Sequence, residues 1–150
     1  MNNSVLVVDD NVLVRSVLVR WLHAAGYRPT DVADATTALD LIAAEEFDVV
    51  LVDVEMPGHD GLWLVARLRE RFPNVAVVLA TASDKIPPAV SMQDGVVEYL
   101  VKPFELSRVV DAVKRAVEWR ETAVARGSRR AEGAGTVDDW LRRRPSSKGR

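Results

Sequence analysis

Asp48-Val49-Val50-Leu51-Val52-Asp53 is an apolar run that ends on a carboxylate and passes directly into the loop Val54-Glu55-Met56-Pro57-Gly58. An unbroken apolar run is what a parallel strand needs when helices cover both faces of its sheet. Ligands of such sheets bind outside the carboxyl ends of the strands, which places Asp53 where chemistry occurs. Taken alone, an aspartate at a strand end reads equally as a helix cap or a turn residue. Matching polar groups at the ends of other strands decide for the functional reading.

On the N-terminal side, Val5-Leu6-Val7-Val8 is a second apolar run, stopping at Asp9-Asp10. Asn11 to Ala25 carries apolar residues at 13, 14, 17, 18, 21, 22 and 25, a helical spacing, and Gly26 closes it. Residues 28 to 33 predict a weak strand, and 35 to 45 a helix with Ala38, Leu39, Leu41 and Ile42 inward. On the C-terminal side, Asp60-Gly61 opens a helix through Arg71 that Pro73 terminates. Val75 to Ala80 is another apolar strand, ending at Thr81. Residues 83 to 93 predict a short helix entered through Pro87-Pro88, and Asp94-Gly95 turns the chain into Val96 to Val101. Lys102-Pro103 follows, then a long helix from about 105 to 123. Five strands alternating with five helices predict an α/β, doubly wound, five-stranded parallel sheet; alternation alone leaves the strand order open.

The chain has 150 residues and is 48% hydrophobic, enough for one core. With no cysteine, disulfides, thiolate metal sites and cysteine nucleophiles are excluded. No run has the length of a membrane span and Met1-Asn2-Asn3-Ser4 is no signal-peptide head, so a soluble cytoplasmic protein is expected. Charge is asymmetric: residues 1 to 120 hold 12 Lys/Arg against 18 Asp/Glu, and residues 121 to 150 hold 8 against 4. The expected division is an acidic domain over 4–122 and a basic, disordered tail over 123–150, with one short helix at 136–143 capped by Thr136.

The strand ends assemble a reactive set. Asp9, Asp10 and Asp53 crowd three carboxylates at one edge, which calls for a compensating cation. Oxygen ligands without His or Cys suit magnesium. Thr81 adds a hydroxyl donor and Lys102 a compact ammonium able to meet a phosphate. Carboxylate nucleophile, metal, hydroxyl and ammonium are together the parts of phosphoryl transfer to an aspartate.

With these residues in place the sequence resembles the receiver domains of two-component response regulators. The resemblance rests on Val7-Val8-Asp9-Asp10, Leu51-Val52-Asp53-Val54-Glu55-Met56-Pro57-Gly58, Asp60-Gly61, Leu79-Ala80-Thr81-Ala82 and Tyr99-Leu100-Val101-Lys102-Pro103-Phe104, and covers residues 4 to about 122. It implies a flavodoxin-like sheet ordered 2-1-3-4-5. It implies Asp53 as phosphoacceptor, Asp10 as a direct magnesium ligand, Asp9 acting through water, and the Glu55 backbone carbonyl completing the protein ligands. Thr81 and Lys102 would assist the transfer, Thr81 and Tyr99 would form the switch, and a cis peptide would precede Pro103.

The implied function is a signalling switch and not an enzyme in its own right. It would accept phosphate from a histidine kinase or a histidine phosphotransfer protein and signal to a downstream effector by protein contact. An alternative of another class is a haloacid-dehalogenase-type phosphatase, which also forms an aspartyl phosphate. Its acidic pair is spaced differently: here Glu55, not an aspartate, stands two residues after Asp53. The thirty or so residues beyond the receiver are too few for a usual output domain. Arg142-Arg143-Arg144 reads as a solvated run, so no direct nucleic-acid binding is expected.

Several residues carry open readings. Trp63 either packs back onto its loop or offers a partner an aromatic anchor. Val14 and Val19 either pack between helices or widen a docking face. Trp21 and Trp119 are read as core, and His23 and His59 as solvated.

Overall fold

The computed structural model describes residues 2–82 and 95–129. In chain order the elements are β1 (Ser4–Val8), α1 (Val12–Ala24), β2 (Arg28–Val32), α2 (Ala35–Ala44), β3 (Val49–Asp53), α3 (Gly61–Arg71), β4 (Ala76–Thr81), β5 (Val96–Val101) and α4 (Leu106–Arg129). All four strand pairings are parallel, and the sheet order is β2-β1-β3-β4-β5. The helix expected over 83–93 and the turn expected over 136–143 lie outside the described residues.

β3 occupies the middle of the sheet because nothing in it needs water. All five of its residues are buried, and side chains alternate between two hydrophobic layers as the two-residue period of a strand requires. Val50 and Val52 face the layer built with Ala38, Ile42, Leu64 and Leu68 of α2 and α3. Val49 and Leu51 face the layer built with Leu18, Leu22, Val109 and Val113 of α1 and α4. β1 and β4 divide their side chains in the same way, which accounts for the unbroken apolar runs in all three sequences. Each fully buried Val or Leu contributes roughly 1.5–3 kcal/mol. The edge strand β2 is half exposed and correspondingly weak in sequence.

Caps set the starts of the helices. Asn11 accepts the Leu13 and Val14 N–H groups, Asp34 accepts Thr37 N–H and Asp60 accepts Trp63 N–H, each satisfying donors that the first turn leaves free. Gly26, with φ 96°, reverses the chain after α1 in a conformation that favours glycine.

Two helices show what spacing alone does not give. In α1 not every apolar residue of the helical spacing is covered: Leu13 is 73% exposed, Val17 is 36% exposed and Ala25 is exposed. Only Leu18 and Leu22 reach full burial, while Leu13 and Val17 line an open apolar groove with Pro103 and Phe104. The last helix was expected to run to about 123; α4 instead runs unbroken to Arg129. Residues 121–126 are Glu-Thr-Ala-Val-Ala-Arg, mostly good helix formers, and Ala123 is still buried, so nothing stops the helix where the charge balance changes.

At the opposite edge from Asp53, the other carboxylate of the opening stretch anchors the strand. Asp48 accepts from Arg120 Nε at 2.7 Å, and from Ser4 N–H and Asn3 Nδ2. Arg120 also donates to the Asn74 carbonyl and Glu46, tying α4 to β3 and the turn before β4.

Gly61 starts α3 directly against the end of β3, where an added Cβ would collide with the Asp53 carbonyl. Gly61→Ala, which by helix propensity should stabilise, is expected to lower stability by about 1–3 kcal/mol through overpacking. Urea unfolding of the variant against the parent reads the sign.

Candidate functional site

Four strands deliver carboxylates, a hydroxyl and an ammonium to one edge because each apolar run ends in register with its neighbour. Val8 pairs with Val52, which brings Asp9 beside Asp53. Asp53 pairs with Ala80, which brings Thr81 beside them. Thr81 pairs with Val101, so Lys102 follows on the next strand. Asp9, Asp10 and Asp53 present carboxylate oxygens that all lie within 4.8 Å of one another. Asp9 and Asp53 are buried at 2% and 4% exposure while Asp10 is exposed. The cluster thus opens to solvent on the Asp10 side.

Lys102 spans the buried pair. Its Nζ donates to Asp9 Oδ2 at 3.1 Å and to Asp53 Oδ2 at 3.1 Å. The Lys102–Pro103 peptide bond is cis. Asp53 Oδ1 accepts the Glu55 N–H at 3.1 Å, and Asp9 Oδ1 accepts the Asn11 N–H at 2.9 Å. Arg15 donates to the Asp9 carbonyl and pairs with Asp31 at 2.8 Å, fixing the start of α1 over the end of β2. Thr81, fully buried, donates from its hydroxyl to Glu55 Oε1 at 3.4 Å, and the Ala82 N–H reaches the same oxygen at 3.2 Å.

The charges sit under tension. Burial pushes the Asp53 carboxyl above its ordinary value; the Glu55 N–H and Lys102 pull it down and the Asp9 charge pushes it up, leaving it raised. Burial pulls Lys102 down, but hydrogen bonds to Asp9 and Asp53 and their charges outweigh it, so the ammonium is held more firmly than usual. Such a carboxylate group fits a hard divalent cation: oxygen ligands converge from two strand ends, and Lys102, the only ammonium bonded to them among the described residues, supplies one charge against three.

Of the residues singled out by sequence, Asp9, Asp10, Asp53, Thr81, Glu55 and Lys102 come together here. Tyr99 stands apart, half buried on β5 opposite Leu79 and packed against the α2/α3 layer. Trp63 packs back: its ring stacks on His59 at 3.9 Å with an interplanar angle of 11°, and the Arg67 guanidinium lies 5.5 Å from its centre. His59 is therefore a stacked residue and not merely a solvated one. Trp21 and Trp119 pack against the α1/α4 layer as read, together with Val14. Sequence reasoning missed Asn11, Arg15 and the side chain of Glu55, none of which carries a signal in spacing alone.

A model of the response regulator receiver domain matches residues 5–114. The chain belongs to this family. The match sets aside the dehalogenase-type alternative. The receiver is 40% identical over 114 residues to the DNA-binding transcriptional regulator NtrC of Escherichia coli (strain K12), covering 75% of this chain and 24% of that protein. It spans about a quarter of the length of the NtrC and FleR regulators it matches. It is 31% identical over 116 residues to sporulation initiation phosphotransferase F of Bacillus subtilis (strain 168), covering 77% of this chain and 94% of that protein. Among solved structures it superposes with TM-score 0.71 on TrrA of Thermotoga maritima in complex with Mg(2+)-BeF, at 29% identity, covering 76% of this chain and 98% of that one. Receivers are the signalling domains of two-component systems, and among the described residues no helix is long and apolar enough to cross a membrane.

The raised Asp53 value yields a pH-dependent prediction. A carboxyl whose folded value lies above its unfolded one weakens the fold when ionised; the penalty is absent below the unfolded value and complete above the folded one. Asp53→Asn removes the charge and keeps one oxygen for the Glu55 N–H, while Lys102 retains Asp9 as acceptor. In metal-free buffer it should therefore raise stability at pH 7 by about 1 kcal/mol, the water limit for unit charges ~4 Å apart. The gain should vanish as pH falls below the ordinary carboxylate range. Melting curves of parent and variant across pH check it.

Proposed function

We propose that this receiver is a phosphorylation-dependent switch in which Asp53 accepts a phosphoryl group from a phosphohistidine of a histidine kinase or histidine phosphotransfer protein. The observation that carries the reading is the Lys102 ammonium held 3.1 Å from both Asp53 and Asp9 within a solvent-open group of three carboxylates. An Asp53 oxygen attacks phosphorus, an O–P bond forms, the N–P bond breaks, and the electron pair stays on the imidazole nitrogen, which takes up a proton.

This chain's residues supply position and charge. The Glu55 N–H and Lys102 orient the Asp53 carboxylate, and Lys102 follows the negative charge onto the phosphoryl oxygens. Thr81 then donates to one of those oxygens. Asp9, Asp10, Asp53 and the Glu55 backbone carbonyl are the residues that would hold magnesium. Bound there, the metal would offset carboxylate and phosphoryl charge.

Readout runs through Thr81 and Tyr99. Drawing the Thr81 hydroxyl toward Asp53 moves the end of β4, and Tyr99 on the neighbouring strand turns into the vacated space. The altered surface binds a downstream effector protein, with no direct contact to nucleic acid and with the protein working in the cytoplasm. NtrC is a DNA-binding transcriptional regulator; for this chain, output runs through protein contact. The population shift is bounded by how differently the two states hold the phosphoryl group.

Acetyl phosphate with magnesium should give an acid-stable, base-labile adduct on the parent and none on Asp53→Asn. Mass spectrometry reads this directly, and labelling that persists in the variant would move the acceptor elsewhere. Lys102→Ala should slow adduct formation by about 10²-fold, the scale of losing one charge-stabilising donor. Thr81→Ala should still be loaded but switch poorly. NMR shifts of residues 95 to 110 on adding beryllofluoride should be clearly smaller in Thr81→Ala than in the parent, and equal shifts would separate Thr81 from Tyr99.

A further inference from the structure

Glu55 is an exposed residue whose carboxylate nonetheless sits inside the site, on two donors at the end of β4. Thr81 has a single hydroxyl proton and Ala82 a single N–H, so each donor can satisfy one strong acceptor well. While Glu55 Oε1 takes both, at 3.4 Å and 3.2 Å, neither is available to an oxygen bound at Asp53. The backbone of the same residue is fixed to the site through its N–H to Asp53 Oδ1 at 3.1 Å. Its side chain therefore reaches across from the β3–α3 loop to the end of β4 from a tethered base.

We infer that the Glu55 carboxylate is a built-in competitor of the phosphoryl group, a positioning residue that holds Thr81 and Ala82 in the unloaded state and must be displaced when Asp53 is loaded. The inference rests on the reading of Asp53 as phosphoacceptor and adds what that reading lacks: a reason the resting receiver stays unswitched. A phosphoryl group brings about −1.5 to −2 charges and three acceptor oxygens. Beside a carboxylate that holds the same donors, it faces like-charge repulsion as well as competition. Because Glu55 is exposed, displacement costs the carboxylate little solvation: it exchanges two hydrogen bonds for water. The competitor sets the threshold for loading without blocking it.

The charge and the hydrogen bonds separate in two variants. Glu55→Gln removes the repulsion and keeps a weaker acceptor, while Glu55→Ala removes both. With magnesium present, the apparent affinity for beryllofluoride should rise by about fivefold in Glu55→Ala, the scale of one exposed charge interaction together with a hydrogen bond. Glu55→Gln should fall between that variant and the parent. Without ligand, the Ala82 amide proton should move upfield in Glu55→Ala, since its acceptor is gone. In the parent, adding beryllofluoride should shift the Glu55 side-chain carboxyl carbon as it is released to solvent. Affinities in both variants equal to or weaker than the parent's would overturn the competitor role, as would an unmoved Glu55 carboxyl signal on saturation. A parent that fails to bind beryllofluoride, or an Asp53→Asn variant that binds it equally, would instead remove the phosphoacceptor reading, and the competitor with it.

Discussion

Three carboxylates within 4.8 Å of one another and a single lysine between two of them are the constraint from which the rest of this receiver follows. Such a group repels itself, and burial of Asp9 and Asp53 sharpens the repulsion. The structure tolerates it by gathering backbone N–H groups and one ammonium on those oxygens, and by leaving Asp10 open to water. What is costly for the fold would be useful to a site of the kind proposed above. Strain of this kind is characteristic of functional positions.

The cost is met elsewhere in the same strands. β1, β3 and β4 are buried almost throughout, and their side chains divide cleanly between the α2/α3 and α1/α4 layers. At the other end of β3, Asp48 is bonded by Arg120, Ser4 and Asn3, so that its own charge meets a guanidinium and two neutral donors. One six-residue stretch thus ends in two aspartates with opposite duties. Asp48 is surrounded by donors and anchors α4; Asp53 is buried with its carboxyl held above the ordinary value.

The loop after β3 connects the site to the surface. Glu55 touches Asp53 through its backbone and Thr81 through its side chain, while His59, Trp63 and Arg67 stack over the start of α3. Asp53, the end of β4 and this loop are thus joined through one residue. Lys102 lies on a segment whose next residues, Pro103 and Phe104, line the same apolar groove as Leu13 and Val17 of α1. The chemical centre is continuous with exposed surface on that side.

The apolar runs, the turn signals and the polar residue closing each run were sufficient to read five parallel strands and to collect Asp9, Asp10, Asp53, Thr81 and Lys102 as one site. This works because a buried parallel strand allows little but apolar residues until it ends, so the first polar residue marks the sheet edge. Resemblance supplied the strand order, which alternation of elements does not contain. The tertiary structure alone decided the rest. Which α1 residues are covered depends on what packs against the helix, and periodicity reports a face but not its partner. α4 runs past the expected boundary because helix formation depends on local residues and packing, not on the balance of charge. Above all, Glu55 on Thr81 and Arg120 on Asp48 join residues 26 and 72 positions apart. No local pattern encodes such pairs, since their distance is set by strand register and helix packing rather than by spacing along the chain.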